Sequence, residues 1–127
     1  MGMYTELLIK ADIVRNPPVE VVAVLNFLFN SGEEPKTLPD HPFFKKERWS
    51  SIGRCSSFYH IPWVSSKYEE GYLFSRSDLK NYDGEIDAFL DWLFPYIDEE
   101  DGKCIGWKFY EESDDPTLIN FVAKRSV

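Results

Sequence analysis

The chain has 127 residues, of which 43% are hydrophobic and 17% aromatic, and a formal net charge of -8 at pH 7. This size and composition predict one globular domain, residues 1–127, around a single core. Such an acidic charge repels nucleic acids and anionic lipids, so we do not expect nucleic acid as a direct ligand. No stretch approaches the ~18 apolar residues of a membrane helix, and the first ten residues lack a signal-peptide pattern. We therefore expect a cytosolic protein without membrane contact.

The first half of the chain predicts a strand, a helix and an irregular insertion. "YTELLIKADI" alternates, with Leu7, Ile9, Ala11 and Ile13 on one face, which is typical of a strand with one buried side. "NPPVEVVAVLNFLFN" has apolar residues at helical spacing, with Asn16 as the expected N-cap and Pro17 at the first helical position. Asp40 is then expected to cap a short helix in "HPFFKKERWSSI".

The second half predicts a hairpin, a second helix and two final strands. "RCSSFYHI" and "GYLFSRSDL" favour strands, with "PWVSSKYEE" as their connection. Asp83 is the expected N-cap of a helix that ends near Pro95. Its apolar stripe consists of Ile86, Phe89, Leu90, Leu93 and Ile97. "KCIGWKFYEE" and "TLINFVAK" then favour two strands joined by "SDDP".

This element order predicts the α+β class. The expected arrangement is a ferredoxin-like β-α-β-β-α-β core, in which two helices cover one face of an antiparallel sheet. An extra C-terminal strand and the inserted short helix complete it.

Five runs carry a resemblance: "YTELLIKADI", "LPDHPFF", "RCSSFYH", "SRSDLKNYDGEI" and "FLDWLFPYID". Together they resemble a group of small uncharacterised proteins carried by bacteria and their phages or mobile elements. The resemblance implies no catalytic role for any residue. It implies a context, because small accessory proteins of such genomes often inhibit, protect or regulate another macromolecule.

Catalytic chemistry is weakly indicated. Cys55 with His41 or His60 as base, oriented by Asp40, is one arrangement for a hydrolase or transferase, but Cys55 and His60 face opposite sides of a regular strand. The two cysteines and two histidines lack the close spacing of structural zinc sites. No disulfide framework, metal or cofactor is predicted.

Two binding hypotheses remain open. The first alternative is a nucleotide or phosphate-bearing ligand held by cations and rings near the central hairpin: Arg54, Tyr59, His60, Trp63, Tyr72 and Arg76. The competing interpretation is that Arg54 and Arg76 pair with acids such as Glu6 across the sheet.

The second hypothesis is a protein partner with a basic surface, bound by acids and an exposed ring. The predicted contact residues are Asp87, Asp91, Trp92, Asp98, Glu99, Glu100, Asp101, Glu111 and Glu112. The competing interpretations are a solubilising acidic surface, and packing of Trp92 against Phe43 and Phe44 of the insertion. We predict that the protein works by binding another macromolecule, as an inhibitor, immunity or regulatory factor. A homodimer is a further alternative.

Overall fold

A computed structural model of the chain describes residues 4–53 and 66–123. Its strands and helices are β1 (Thr5–Asp12), α1 (Val19–Phe29), β2 (Ser66–Glu69), β3 (Tyr72–Leu79), α2 (Glu85–Leu93), β4 (Cys104–Tyr110) and β5 (Thr117–Asn120). Short 3-10 turns lie at Pro42–Lys45, Trp49–Ser51 and Phe94–Tyr96. None of the helices in these ranges has the length and apolar character needed to cross a membrane.

The strands form one five-stranded antiparallel sheet in the order β2-β3-β1-β4-β5. β1 is central, with β3 on one side and β4 on the other. The α+β class with an antiparallel sheet and two helices is therefore confirmed.

β1 has the predicted alternation. Leu7, Ile9 and Ala11 are buried in the same core cluster as the apolar residues of α1 and α2. Lys10 and Asp12 are exposed on the opposite side. Successive side chains of a strand point to opposite faces, so one face of the sheet packs on the helices.

The start of α1 differs from the prediction. The helix begins at Val19, with Pro18 as the N-cap in an extended conformation (ψ 148°). Asn16 and Pro17 each precede a proline, and the proline ring disfavours helical geometry in the residue before it. The carbonyl of Pro18 accepts the first hydrogen bonds, from Val21 and Val22.

The short helix predicted in the insertion is present only as separate 3-10 segments. Two short 3-10 turns take its place, and His41, not Asp40, caps the first. The His41 Nδ1 atom accepts a hydrogen bond from the Phe43 backbone N–H at 3.0 Å. The turns bury Phe43 and Phe44 and thereby anchor the insertion in the core.

The central hairpin is shifted from its expected position. β3 lies where predicted, but β2 falls within the stretch assigned to the connection, and "RCSSFYHI" lies outside the described residues. Glu69 pairs directly with Tyr72 across a tight turn. Gly71 has the positive φ of 85° that suits glycine at this turn.

α2 buries the predicted stripe: Ile86, Phe89, Leu90, Leu93 and Ile97 are all buried. The helix begins at Glu85 after Gly84, whose φ is 71°, so Asp83 is not its N-cap. The Asn81 side chain satisfies the helix start instead, because its Oδ1 accepts from the Ile86 N–H at 2.9 Å. Regular helix ends before Pro95, as expected.

Candidate binding surface

The face of the sheet opposite the helices, here called the outer face, collects side chains from all five strands. Leu8 lies between Arg76 of β3 and Trp107 of β4, and Leu118 of β5 lies beside Trp107. Directly opposed residues of antiparallel strands share a face. The same register places on the outer face Glu6, Lys10, Asp12, Lys67, Glu69, Tyr72, Phe74, Asp78 and Phe109.

Apolar side chains on the outer face reach solvent. The exposed fractions are 41% for Tyr72, 36% for Phe74 and 59% for Leu118. Leu8, Trp107 and Phe109 are half-buried. Exposed apolar side chains that come together on one face, rimmed by polar residues, mark interaction sites in soluble proteins.

Glu6 contacts polar groups from both neighbouring strands on this face. Its carboxylate accepts hydrogen bonds from Arg76 Nε at 3.0 Å and Trp107 Nε1 at 3.2 Å, and Arg76 Nη2 lies 2.6 Å from Glu6 Oε2. One carboxylate thus holds side chains from β3 and β4 over β1. The pairing of Arg76 with Glu6 across the sheet is confirmed.

The predicted ligand cluster is only partly described. Arg54, Tyr59, His60 and Trp63 lie outside the described residues, as does Cys55. Tyr72 and Arg76 share the outer face, where Arg76 is held by Glu6. The phosphate hypothesis therefore stays a prediction.

His41 serves the packing of the insertion in the described structure. Its Nε2 lies 3.0 Å from Asp91 Oδ2 and its Nδ1 caps the first 3-10 turn. The Nε2 contact ties the insertion to α2, and the Nδ1 hydrogen bond fixes the turn within the insertion. Asp40, proposed to orient a catalytic histidine, is exposed.

The predicted contact residues of α2 have intramolecular roles. Asp87 lies 2.8 Å from Lys108 Nζ, and Asp91 contacts His41. Trp92 is 4% exposed, with its ring centroid 5.3 Å from that of Phe44 and 6.1 Å from that of Phe43. Trp92 therefore belongs to the core, as the packing interpretation predicts, and is not exposed to a partner.

The remaining predicted acids lie at two ends of the sheet. Glu99 accepts a hydrogen bond from the Asp12 N–H at one end of β1, and Glu111 accepts one from the Tyr4 N–H at the other. Asp98, Glu100 and Asp101 accompany Glu99 in sequence, and Glu112 follows Glu111. The acids at 98–101 and those at 111–112 lie at opposite ends of β4. They therefore do not form one continuous surface.

The acidic turn between β4 and β5, residues 111–116, lies between two clefts. The outer cleft, of about 330 Å³, is lined by Glu6, Phe109, Glu111 and Ser113. The inner cleft, of about 290 Å³, is lined by Thr5, Asn81, Tyr82, Lys108, Tyr110, Ser113 and Thr117. Ser113 lines both clefts, so the turn forms their common wall.

Five apolar residues of the outer face were missed as candidates by sequence reasoning: Leu8, Phe74, Trp107, Phe109 and Leu118. A signal existed in the aromatic pairs two residues apart, Tyr72 with Phe74 and Trp107 with Phe109. Such spacing places both rings on one face of a strand. The spacing does not indicate whether other parts of the protein cover that face.

Within residues 4–53 and 66–123, no group of three or more His, Cys, Asp or Glu side chains is placed to hold a metal ion. Comparison with protein-family models, curated proteins and solved structures finds no match to this chain. The resemblance to small proteins of phages and mobile elements stays a prediction.

Proposed function

We propose that this protein acts by binding another protein through the outer face of its sheet. The observation that carries the proposal is the row of solvent-reaching apolar side chains from β3 to β5, with Tyr72 and Phe74 at one side and Leu118 at the other. Aromatic residues exposed in the middle of a polar surface are enriched in interface hot spots.

The proposed partner has an apolar centre and a basic rim. Phe109 and Glu111 line the outer cleft together, so the apolar face continues into the acidic turn. Glu111, Glu112, Asp114 and Asp115 of that turn are all exposed. Complementary charge at a rim steers encounter and selects partners, whereas the desolvated centre supplies most of the affinity.

Nucleic acid is a less suitable ligand for the outer face than a protein. The outer face carries acids as well as bases, and the chain has a net charge of -8. Single-strand binders combine stacking rings with a positively charged path for the phosphates. Arg76, the cation nearest the centre, is paired with Glu6. We therefore favour a protein partner, in the role of inhibitor, immunity or regulatory factor.

We also infer the ferredoxin-like arrangement for the core. The strand order β2-β3-β1-β4, with α1 after β1 and α2 after β3, supports it. In this arrangement the sheet face without helices is available for binding, which agrees with the proposed site. β5 extends the sheet next to β4.

Affinity capture with the tagged chain tests the proposed function, with quantitative mass spectrometry of bound proteins at low and high salt. Leu118→Arg and Phe74→Ala change the apolar face, and Val19→Arg is the matched control, because Val19 is 86% exposed on α1. We expect a stoichiometric partner that the two face variants lose and Val19→Arg retains. All variants should keep the melting temperature of the unmodified chain within a few degrees.

Charge-reversal variants distinguish the contribution of the acidic rim to binding from that of the apolar centre. Glu112→Lys with Asp115→Lys should weaken the captured complex and reduce its sensitivity to salt, whereas Glu33→Lys, in an exposed loop after α1, should not. A wild-type chain that retains no protein above background contradicts the proposal. So does a dimer of the chain that Leu118→Arg dissociates, because a second copy then covers the face.

A further inference from the structure

The inner cleft has a lining that differs in chemistry from the outer face. Among the residues that the structure describes, those lining this cleft all end in groups that form hydrogen bonds: the hydroxyls of Thr5, Ser113 and Thr117, the phenols of Tyr82 and Tyr110, the Asn81 amide and the Lys108 ammonium. The tyrosines Tyr82 and Tyr110 are 61% and 39% exposed.

Three elements fix these groups. Thr5 opens β1, where it is 7% exposed and pairs with Tyr110 of β4. Asn81 precedes α2, and its Oδ1 is occupied by the Ile86 N–H, which leaves its amide N–H groups as donors. Thr117 begins β5 opposite Lys108. Strand pairing and the helix start therefore position Thr5, Tyr110, Thr117, Lys108 and Asn81.

Two cations near the inner cleft, Lys108 and Arg48, lie close to acidic side chains. Lys108 Nζ lies 2.8 Å from Asp87 Oδ1. The Arg48 guanidinium covers the Tyr82 ring at 5.5 Å and lies 3.5 Å from Glu47. Neither cation is left to neutralise a bound anion.

The carboxylates of Glu111 and Glu112 lie close enough to Tyr110 to act on its phenol. Partial burial and the nearby carboxylates of Glu112 and Glu111 raise the pKa of the Tyr110 phenol. A phosphate or carboxylate placed among these groups meets the same carboxylates. Anions are therefore disfavoured here, while an uncharged molecule meets no such penalty.

We propose that the inner cleft binds a neutral polyhydroxylated small molecule, such as a sugar or cyclic polyol. Hydroxyl, amide and phenol groups match the donors and acceptors of such a ligand, and tyrosine rings match its C–H faces. The cleft volume of about 290 Å³ is at the lower end of small-molecule sites, which start at roughly 300 Å³. A ligand of one ring fits this space.

Backbone amide NMR of the intact, isotopically labelled chain tests this inference. Glucose, ribose and myo-inositol are titrated separately into the millimolar range, with inorganic phosphate as the anionic probe. We expect at least one neutral probe to shift the amide resonances around Ser113 and Thr117, with little change on β2 and β3. Inorganic phosphate should not reproduce these shifts.

Conservative variants locate the site. Tyr110→Phe and Thr117→Val each remove one hydroxyl and should weaken binding of the neutral probe about three- to tenfold, the cost of one neutral hydrogen bond. Tyr72→Phe removes a phenol of the outer face and should leave binding unchanged. Leu118→Arg, which tests the protein partner, should also leave the probe bound, so the two proposals fail independently.

Three outcomes overturn the inference. The first is that none of the neutral probes shifts the cleft resonances. The second is that inorganic phosphate shifts them more strongly than the neutral probes, which would make the cleft an anion site around Lys108. Unchanged affinity in both Tyr110→Phe and Thr117→Val would also place the bound probe elsewhere.

Discussion

Arg76 and Glu6 form an ion pair across β3 and β1, with Arg76 Nη2 at 2.6 Å from Glu6 Oε2. The side chains are 34% and 21% exposed, so water screens the pair only in part. Because Glu6 also accepts from Trp107, the pair fixes an aromatic ring on the proposed binding face. A cross-strand charge pair here thus bears on both stability and recognition.

This pair predicts a measurable coupling. Arg76→Met should lower the free energy of unfolding by about 1 kcal/mol, and a double-mutant cycle with Glu6→Gln should give a coupling energy of roughly 0.5–1 kcal/mol. Lys67→Met is the control, because Lys67 Nζ lies 4.0 Å from Glu69 and both side chains are mostly exposed. Urea denaturation measures the free energy of unfolding of the four proteins of the cycle and of the control. A coupling energy of zero would contradict the role given to the pair.

Gly106 is predicted to be intolerant of a side chain. Its φ is 155°, and a Cβ at this position would overlap the backbone carbonyl oxygen of Leu8 on β1. The position also adjoins the irregularity in the β4–β5 pairing. Gly106→Ala should cost roughly 3 kcal/mol, since backbone, not a flexible side chain, must move.

Gly102 provides the comparison for Gly106. It has a φ of 89°, and a Cβ there meets nothing within 4 Å. Gly102→Ala should therefore cost only about 1 kcal/mol, the penalty for a left-handed conformation. Thermal unfolding of both variants tests the difference, and equal losses would refute the steric argument.

Trp92 is predicted to act through packing. Trp92→Ala should lower the free energy of unfolding by about 3–5 kcal/mol, because a large buried side chain is removed from an aromatic cluster. Asp91→Asn changes the neighbouring, 58% exposed side chain and should cost less than about 1 kcal/mol. The denaturation midpoints of Trp92→Ala and Asp91→Asn measure this difference in stability. A stable Trp92→Ala protein that loses its partner would instead restore the contact role.

Glu99 predicts a loss of stability in acid. Burial alone would raise the pKa of Glu99, but hydrogen bonds from the Asp12 N–H and Lys103 lower it below the ordinary value of 4.5. A depressed pKa means that the ionised form stabilises the fold. This stability is present above the unfolded-state pKa and is lost as the pH falls through the folded-state value.

The measurement is the urea midpoint between about pH 6 and pH 3. The midpoint of the unmodified chain should fall more steeply with acid than that of Glu99→Gln, which no longer titrates at this position. Glu100→Gln, one residue further along and exposed, should follow the unmodified chain. Parallel curves for all three proteins would exclude Glu99 as the responsible group.

The sequence by itself determined the elements in which apolar side chains recur with the period of a strand or of a helix. Alternation placed Leu7, Ile9 and Ala11 on the buried face of β1, and helical spacing found the stripe of α2. These predictions hold because local geometry alone sets which side chains share a face. The β4–β5 hairpin was predicted from its turn-rich connection "SDDP".

Tertiary structure alone decided which side chains are exposed to solvent and which have intramolecular partners. β2 was missed because its four residues carry a short, polar pattern, and pairing with β3 makes them a strand. Glu99 and Glu111 looked like surface acids, yet Glu99 accepts from the N–H of Asp12 in β1 and Glu111 from that of Tyr4 just before β1, 87 and 107 residues away in the chain. The outer face and the inner cleft likewise exist only where distant strands meet, since contacts between residues far apart in sequence are not encoded in any local period.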